Sequence, residues 1–152
     1  MPVPTAASHA ARQAALVVDA SVSAAWFLPE EATAFTEAAL VATAHGEVWV
    51  PALWWLEIGN LLLTAQRRRR IDAAKRAELV LAAEGLRLRV DREPVALGSI
   101  DALADRHGLT CYDAAYLELA VRRRLPLATL DKALLAAMPA AQVAAADSLL
   151  QP

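Results

Sequence analysis

The stretch LVVDAS, Leu16 to Ser21, runs three apolar residues straight into an acid. A short, continuously apolar run of this kind predicts a strand buried on both faces, as in a parallel sheet. A helix is expected immediately after it, over Val22 to Leu28, with Ser21 or Ser23 as its N-cap. In open parallel sheets ligands bind just outside the carboxyl ends of the strands. Asp19 stands at such an end.

Outward from this strand the same theme recurs. Glu30 to Ala44 is alanine-rich with helical spacing and is stopped by Gly46. EVWVP, Glu47 to Pro51, reads as a second strand, and Leu53 to about Arg69 as a helix with Trp54, Ile58, Leu61, Leu62 and Ala65 on its apolar side. Asp72 is expected to cap a further helix that reaches Glu84. LRLRV, Leu86 to Val90, alternates apolar and basic residues, the pattern of a half-exposed edge strand. Ser99 and Thr110 read as caps of two more helices, the first ended by Gly108. LPLATLD, Leu125 to Asp131, is again an apolar run closed by an acid. A short helix from Lys132 to Ala137 and a final strand at Ala141 to Ala145 complete the pattern. The alternation of strands and helices implies an α/β fold, a parallel sheet with helices on both faces.

The chain has 152 residues, enough for one domain that buries roughly two thirds of its unfolded surface. Residues 16–152 are expected to form it, with 1–15 a frayed arm or a misassigned start that lacks the apolar core of a secretory signal. No run reaches the roughly 18 apolar residues of a membrane span. The single cysteine, Cys111, fits a reducing, cytoplasmic setting and is expected to be buried and inert. Three scattered histidines give no zinc pattern. The net charge of −2 means that any nucleic-acid binding must come from a local patch.

Four carboxylates stand out by context. Glu57 lies among Trp54, Trp55, Leu56, Ile58 and Leu61, and carboxylates are rarely buried without a partner. Asp19 and Asp131 end parallel strands and so point to one edge of the sheet. Asp113, in the first turn of its helix, is expected on the same edge. Each has a structural reading as well: turn or cap for Asp19, helix cap for Asp131, capping box with Thr110 for Asp113. Carboxylates converging there would repel by about 4 kcal/mol per close pair at an effective dielectric of 20. A divalent cation relieves that repulsion, and an all-oxygen set suits Mg²⁺ or Mn²⁺ rather than zinc. Carboxylate-held Mg²⁺ keeps waters and commonly serves phosphate chemistry, so phosphodiester hydrolysis is expected.

Taken together, VVDAS, the W-x-E-I-x-N of Trp55 to Asn60, LTCYDAAYLELA of Leu109 to Ala120, and LATLD of Leu127 to Asp131 resemble, in order and spacing, PIN domains. The resemblance is greatest to the VapC-type ribonuclease toxins of toxin–antitoxin pairs, and covers roughly Leu16 to Asp147. It implies a three-layer α/β/α domain with a central parallel sheet and Mg²⁺- or Mn²⁺-dependent endoribonuclease activity. It also implies a homodimer and a VapB-type antitoxin as partner. By motif, Asp19, Glu57, Asp113 and Asp131 match the family's acidic residues, and Ser21, Asn60 and Thr129 its accompanying polar positions.

Other residues receive narrower expectations. Glu118, five residues beyond Asp113, is turned away by about 140°. Tyr112 and Tyr116 are expected to pack in the core, the alternative being a stack on a base. Arg67 to Arg70 and Arg122 to Arg124 favour helix C-termini. Arg68 lies eleven residues past Glu57, about three turns and ~16 Å along the same face. It is a candidate contact for the RNA backbone. A dinucleotide-binding domain is disfavoured, since no glycine-rich turn follows the first strand. An aspartyl-phosphate enzyme would leave Glu57 and Asp113 unexplained. A PIN nuclease outside the toxin class, acting on DNA or in RNA processing, and a metal-free PIN-scaffold binding module remain as alternatives.

Overall fold

The computed structural model describes residues 15–150. The arm expected over residues 1–15 lies outside them, apart from Ala15. Four strands, β1 (Ala15–Val18), β2 (Glu47–Pro51), β3 (Leu88–Asp91) and β4 (Leu127–Ala128), form an all-parallel sheet in the order β3-β2-β1-β4. Seven helices connect and cover them among the described residues: α1 (Ala20–Phe27), α2 (Ala34–His45), α3 (Trp54–Arg67), α4 (Ala73–Glu84), α5 (Leu97–His107), α6 (Cys111–Arg123) and α7 (Lys132–Ala137). The chain builds outward from β1 to β3 and then returns to place β4 on the other side of β1. The strand order therefore reverses between β1 and β4, and a crevice opens at the carboxyl ends of these two strands.

Side-chain alternation along the strands divides the core into two layers. Val17, Val50 and Leu127 face one way and pack with Trp54, Ile58 and Leu62 of α3, Tyr116, Leu117 and Ala120 of α6, and Leu134 of α7. Leu16, Val18, Val48 and Ala128 face the other way, against Val22 of α1, Ala39 and Ala42 of α2, and Leu150. Leu16, Val17 and Val18 have no exposed surface, which is why β1 is apolar at every position. The domain is a three-layer α/β/α sandwich. β3 is an edge strand, as the alternation over Leu86 to Val90 implies, but it begins only at Leu88 and runs on to Asp91.

Several element bounds differ from expectation for local reasons. α1 begins at Ala20, with Asp19 as N-cap residue, because the Ser21 and Ser23 hydroxyls are engaged elsewhere. Glu30 and Glu31 sit in a separate 3-10 turn, and α2 starts only after Thr33, which forms a capping box with Thr36. α5 starts after Ala96, two residues before Ser99. The expected final strand is a single parallel bridge, Leu127 to Ala145, because the chain turns at once, with Leu149 and Leu150 both donating to the Ala146 carbonyl.

Candidate active site

Asp19 leaves the end of β1 and is 3% exposed. Its Oδ2 accepts from the Ser21 hydroxyl at 2.6 Å and from the Thr129 hydroxyl at 2.7 Å. Thr129 follows β4 and accepts in turn from the Asp131 N–H at 3.0 Å, while Ser21 accepts from the Leu130 N–H at 2.9 Å. The ends of β1 and β4 are thus tied together by two hydroxyls centred on one carboxylate oxygen. Beneath it, the Ser23 hydroxyl donates to the Asp19 carbonyl at 3.1 Å and accepts from the Trp54 indole N–H at 2.8 Å. Ser23 and Trp54 have no exposed surface, so this relay fixes the start of α3 against the end of β1.

α3 carries Glu57 in its first turn, half-buried over the crevice. Glu57 Oε2 accepts from the hydroxyl of Tyr116, a fully buried residue of α6. Asp113, in the first turn of α6, accepts from the Thr110 hydroxyl at 2.7 Å, and its own N–H donates to Thr110 at 3.1 Å. Thr110 caps α6 as expected, but the Asp113 carboxylate takes the Thr110 hydroxyl rather than its backbone N–H. The pair therefore makes an N-cap and not the full capping box, and this coexists with a place at the crevice.

Burial raises the Asp19 carboxyl above its ordinary range; the Ser21 and Thr129 hydroxyls oppose that rise and the Asp113 charge adds to it. Burial likewise raises Glu57, opposed by the Tyr116 hydroxyl and reinforced by the charges of Asp19 and Asp113. Among the described residues no lysine or arginine counters either rise. Burial and the neighbouring Glu57 push the Tyr116 phenol upward as well, so it stays a hydrogen-bond donor. Asp91, at the end of β3 on the same sheet edge, behaves oppositely. Its burial would raise it, but Arg122 at 2.6 Å and Arg123 at 2.6 Å outweigh that and hold it low. The edge thus carries one acid satisfied by protein cations and a group of acids that is not.

The structure brings three of the four expected acids, Asp19, Glu57 and Asp113, within electrostatic reach of one another. Asp131 lies on the same edge, but its Oδ1 accepts from the Leu134 N–H at 2.9 Å and caps α7. It acts on the site through its backbone N–H, which holds Thr129. Among the described residues no group of three His, Cys, Asp or Glu side chains is gathered closely enough to hold a metal ion as it stands. The donor chemistry nevertheless fits a hard divalent cation. Each of the three carboxylates has one oxygen held by a hydroxyl, leaving Asp19 Oδ1, Glu57 Oε1 and Asp113 Oδ1 without a side-chain donor. Mg²⁺ accepts such partial sets because it keeps several waters.

Asn60 is exposed and lines, with Ser21 and Glu57, a groove of about 650 Å³ beside the acids. Arg68 lies just past the end of α3 and is exposed. It continues the row Glu57, Leu61, Thr64, whose members line that groove. Arg70 instead reaches Glu31 at 3.0 Å and also Glu30, tying the end of α3 to the 3-10 turn. Glu118 points away from the acids, as its phase implies, and pairs with Arg122 at 2.7 Å.

Two expectations are corrected. Tyr112 is 66% exposed and lines the groove, because it sits in the first turn of α6, beyond the end of the core. Cys111 is exposed, since its helical phase coincides with Glu118 and Arg122 rather than with Ala114 and Leu117. Tyr116 and Ser23, which hold Glu57 and the backbone of Asp19, were not expected to serve the site, and Thr110, expected as the helix cap paired with Asp113, also holds its carboxylate. Tyr116 could have been found from its i, i+3 spacing to Asp113; the Ser23 relay has no sequence signal.

A parallel sheet with a carboxylate group at its switch point defines the class: an acidic-site α/β/α domain. A family model described as PIN domain matches residues 16–139. The chain is 39% identical over 127 residues to ribonuclease VapC3 of Pyrobaculum aerophilum, covering 82% of this chain and 95% of that protein. It also resembles the crystal structure of PAE2754 from Pyrobaculum aerophilum, with TM-score 0.62 and 26% identity over 90% of this chain and 87% of that one. The chain belongs to the PIN-domain family and is of the VapC type.

Proposed function

We propose that this chain is a metal-dependent endoribonuclease toxin of a toxin–antitoxin pair. The observation that carries the reading is the group Asp19, Glu57 and Asp113. Asp19 and Glu57 are raised by burial and by the neighbouring acids, and no lysine or arginine counters them among the described residues. Each of the three has one oxygen without a side-chain donor. The likeness to ribonuclease VapC3 supports RNA as substrate.

Asp19 and Asp113 hold Mg²⁺ or Mn²⁺, Glu57 contributes its free oxygen, and Asp131 supports the set from the cap of α7. The bound cation supplies charge neutralisation for phosphate and a water of lowered pKa. Ser21 and Thr129 fix the Asp19 carboxylate through Oδ2, leaving Oδ1 without a side-chain donor. Tyr116 does the same for Glu57, whose carboxyl, raised by burial, is a stronger base than an ordinary carboxylate and so suited to accept a proton from a water. Asn60 hydrogen-bonds substrate at the mouth. Arg68 contacts the RNA backbone ahead of the scissile bond, adding affinity without sequence choice. A VapB-type antitoxin is the partner, expected to set an arginine or lysine beside Asp19 and Asp113 in place of the cation, and the toxin acts as a homodimer.

The test is cleavage of end-labelled single-stranded RNA and DNA of one sequence by chelator-stripped protein, with and without Mg²⁺. RNA should be cut only with the cation, and DNA spared. Cleavage of DNA alone would move the chain to the nucleases outside the toxin class. Binding without cleavage under any cation would make it a binding module.

A further inference from the structure

We propose that the groove beside the acids is a subsite for one unpaired nucleobase, stacked on Tyr112; the proposal rests on the ribonuclease reading and names how its substrate is held. The groove, about 650 Å³, runs between α1 and α3 and is closed at one side by Tyr112. That volume lies within the range of roughly 300–1,000 Å³ typical of ligand pockets. Ser21 and Glu57 belong both to this groove and to the carboxylate site. Whatever fills the groove therefore lies next to a phosphate held at the acids, within one nucleotide along a strand.

The lining matches a base better than any other part of a nucleotide. Tyr112 is 66% exposed and Leu56 72% exposed, an aromatic and an aliphatic surface left open at the mouth of the site. Tyr112 directly precedes Asp113, about 100° round the helix, so its ring flanks the carboxylate. Among the described residues no lysine or arginine lines the groove, and the one charge there is Glu57, which repels phosphate. Asn60 and Thr64 are exposed on its wall and offer an amide and a hydroxyl, donors and acceptors for the edge of a base. Flat π-surface with polar edges is what this arrangement receives, and stacking on an aromatic side chain serves any base.

The experiment uses the full chain with Asp19→Asn, to prevent cleavage, and a single-stranded RNA that carries 2-aminopurine at each position in turn. Fluorescence should be quenched at one or two adjacent positions beside the bond that the unaltered protein cuts. Tyr112→Ala should abolish that quench and weaken RNA binding by roughly 5- to 150-fold, the range for one stacked base. Tyr112→Phe should retain both. An abasic nucleotide at the quenched position should make the Tyr112→Ala protein and its parent bind equally. The ring is exposed, so both variants should melt with the parent. If RNA is bound and cut, yet no position is quenched and Tyr112→Ala binds as its parent does, the base subsite is overturned. The groove is then left to an apolar segment of the antitoxin. If RNA is neither bound nor cut with Tyr112 intact, the ribonuclease reading falls and takes the subsite with it.

Discussion

Tyr116→Phe removes one buried hydroxyl and nothing else. The ring keeps its packing between the sheet and α3, so no cavity larger than an oxygen is created. What is lost is the hydrogen bond to Glu57 Oε2. A hydrogen bond to a charged group contributes about 1.5–3 kcal/mol. Glu57 is only half-buried and water can replace part of the bond, so about 1.5 kcal/mol is expected. For a chain of this length that corresponds to a Tm lower by about 3–6 °C. The loss should depend on pH. The Glu57 carboxyl is already raised by burial, and the Tyr116 hydroxyl is the group that opposes the rise. Its contribution to stability is thus fully present below its unfolded value and lost as pH rises through its folded value. Without the hydroxyl the folded value moves higher still and more is lost. The gap between variant and parent should accordingly be small in acid, where Glu57 is protonated, and widen toward neutral pH. Denaturant unfolding of both proteins in chelator across that range measures it. The acid limb of the cleavage profile should move upward in the variant. A gap that stays constant with pH, or a variant as stable as its parent at neutral pH, would refute the claim that Tyr116 holds an ionised Glu57.

The other expectations concern the same edge of the sheet. Asp19→Asn should abolish cleavage and, in chelator at neutral pH, melt above the parent, because the raised Asp19 loses folded-state stability as pH rises through its titration. The gain should vanish in acid, where the parent's carboxyl is neutral; an unchanged or lower neutral-pH Tm would mean the acids are not crowded. Thr129→Val deletes a donor to Asp19 and an acceptor for the Asp131 N–H at a residue 4% exposed. It should cost about 1–3 kcal/mol in denaturant unfolding and lower kcat more than it raises KM. Arg68→Ala should reduce the salt dependence of RNA binding by about one counterion's worth of slope. Arg70→Ala should not, since Arg70 is engaged by Glu30 and Glu31; equal slopes in parallel salt titrations would contradict a role for Arg68.

Much of this architecture is legible in the sequence because burial on both faces leaves a mark. LVVD and LATLD are apolar at each strand position, since alternate residues face two different helical layers. The acids at their ends then fall on one edge by topology alone. Asp113 and Thr110 are readable because an N-cap is local. Interactions between distant elements leave no such trace. Tyr116 meets Glu57 across 59 residues, and Trp54 meets Ser23 across 31, so neither pairing follows from spacing. Residue type also misleads where phase or position decides. Cys111 is apolar in character yet lies on the Glu118 and Arg122 side of α6, and Tyr112 lies on the apolar side but past the end of the core. Arg122 and Arg123, readable as helix-end charges, are drawn instead to Asp91, and Arg123 also stacks 3.6 Å over the Trp49 ring.

The most direct measurement is a Mn²⁺ titration of chelator-stripped protein, read by the loss of the free-ion electron paramagnetic resonance signal. It is run on the parent and on Asp19→Asn, Glu57→Gln, Asp113→Asn and Asp131→Asn. Three convergent carboxylates with Asp131 as a cap predict saturable binding that is weakened most by Asp19→Asn and Asp113→Asn, clearly by Glu57→Gln, and least by Asp131→Asn. Binding that is absent from the parent, or that survives all of the first three substitutions unchanged, would contradict a cation held at this site.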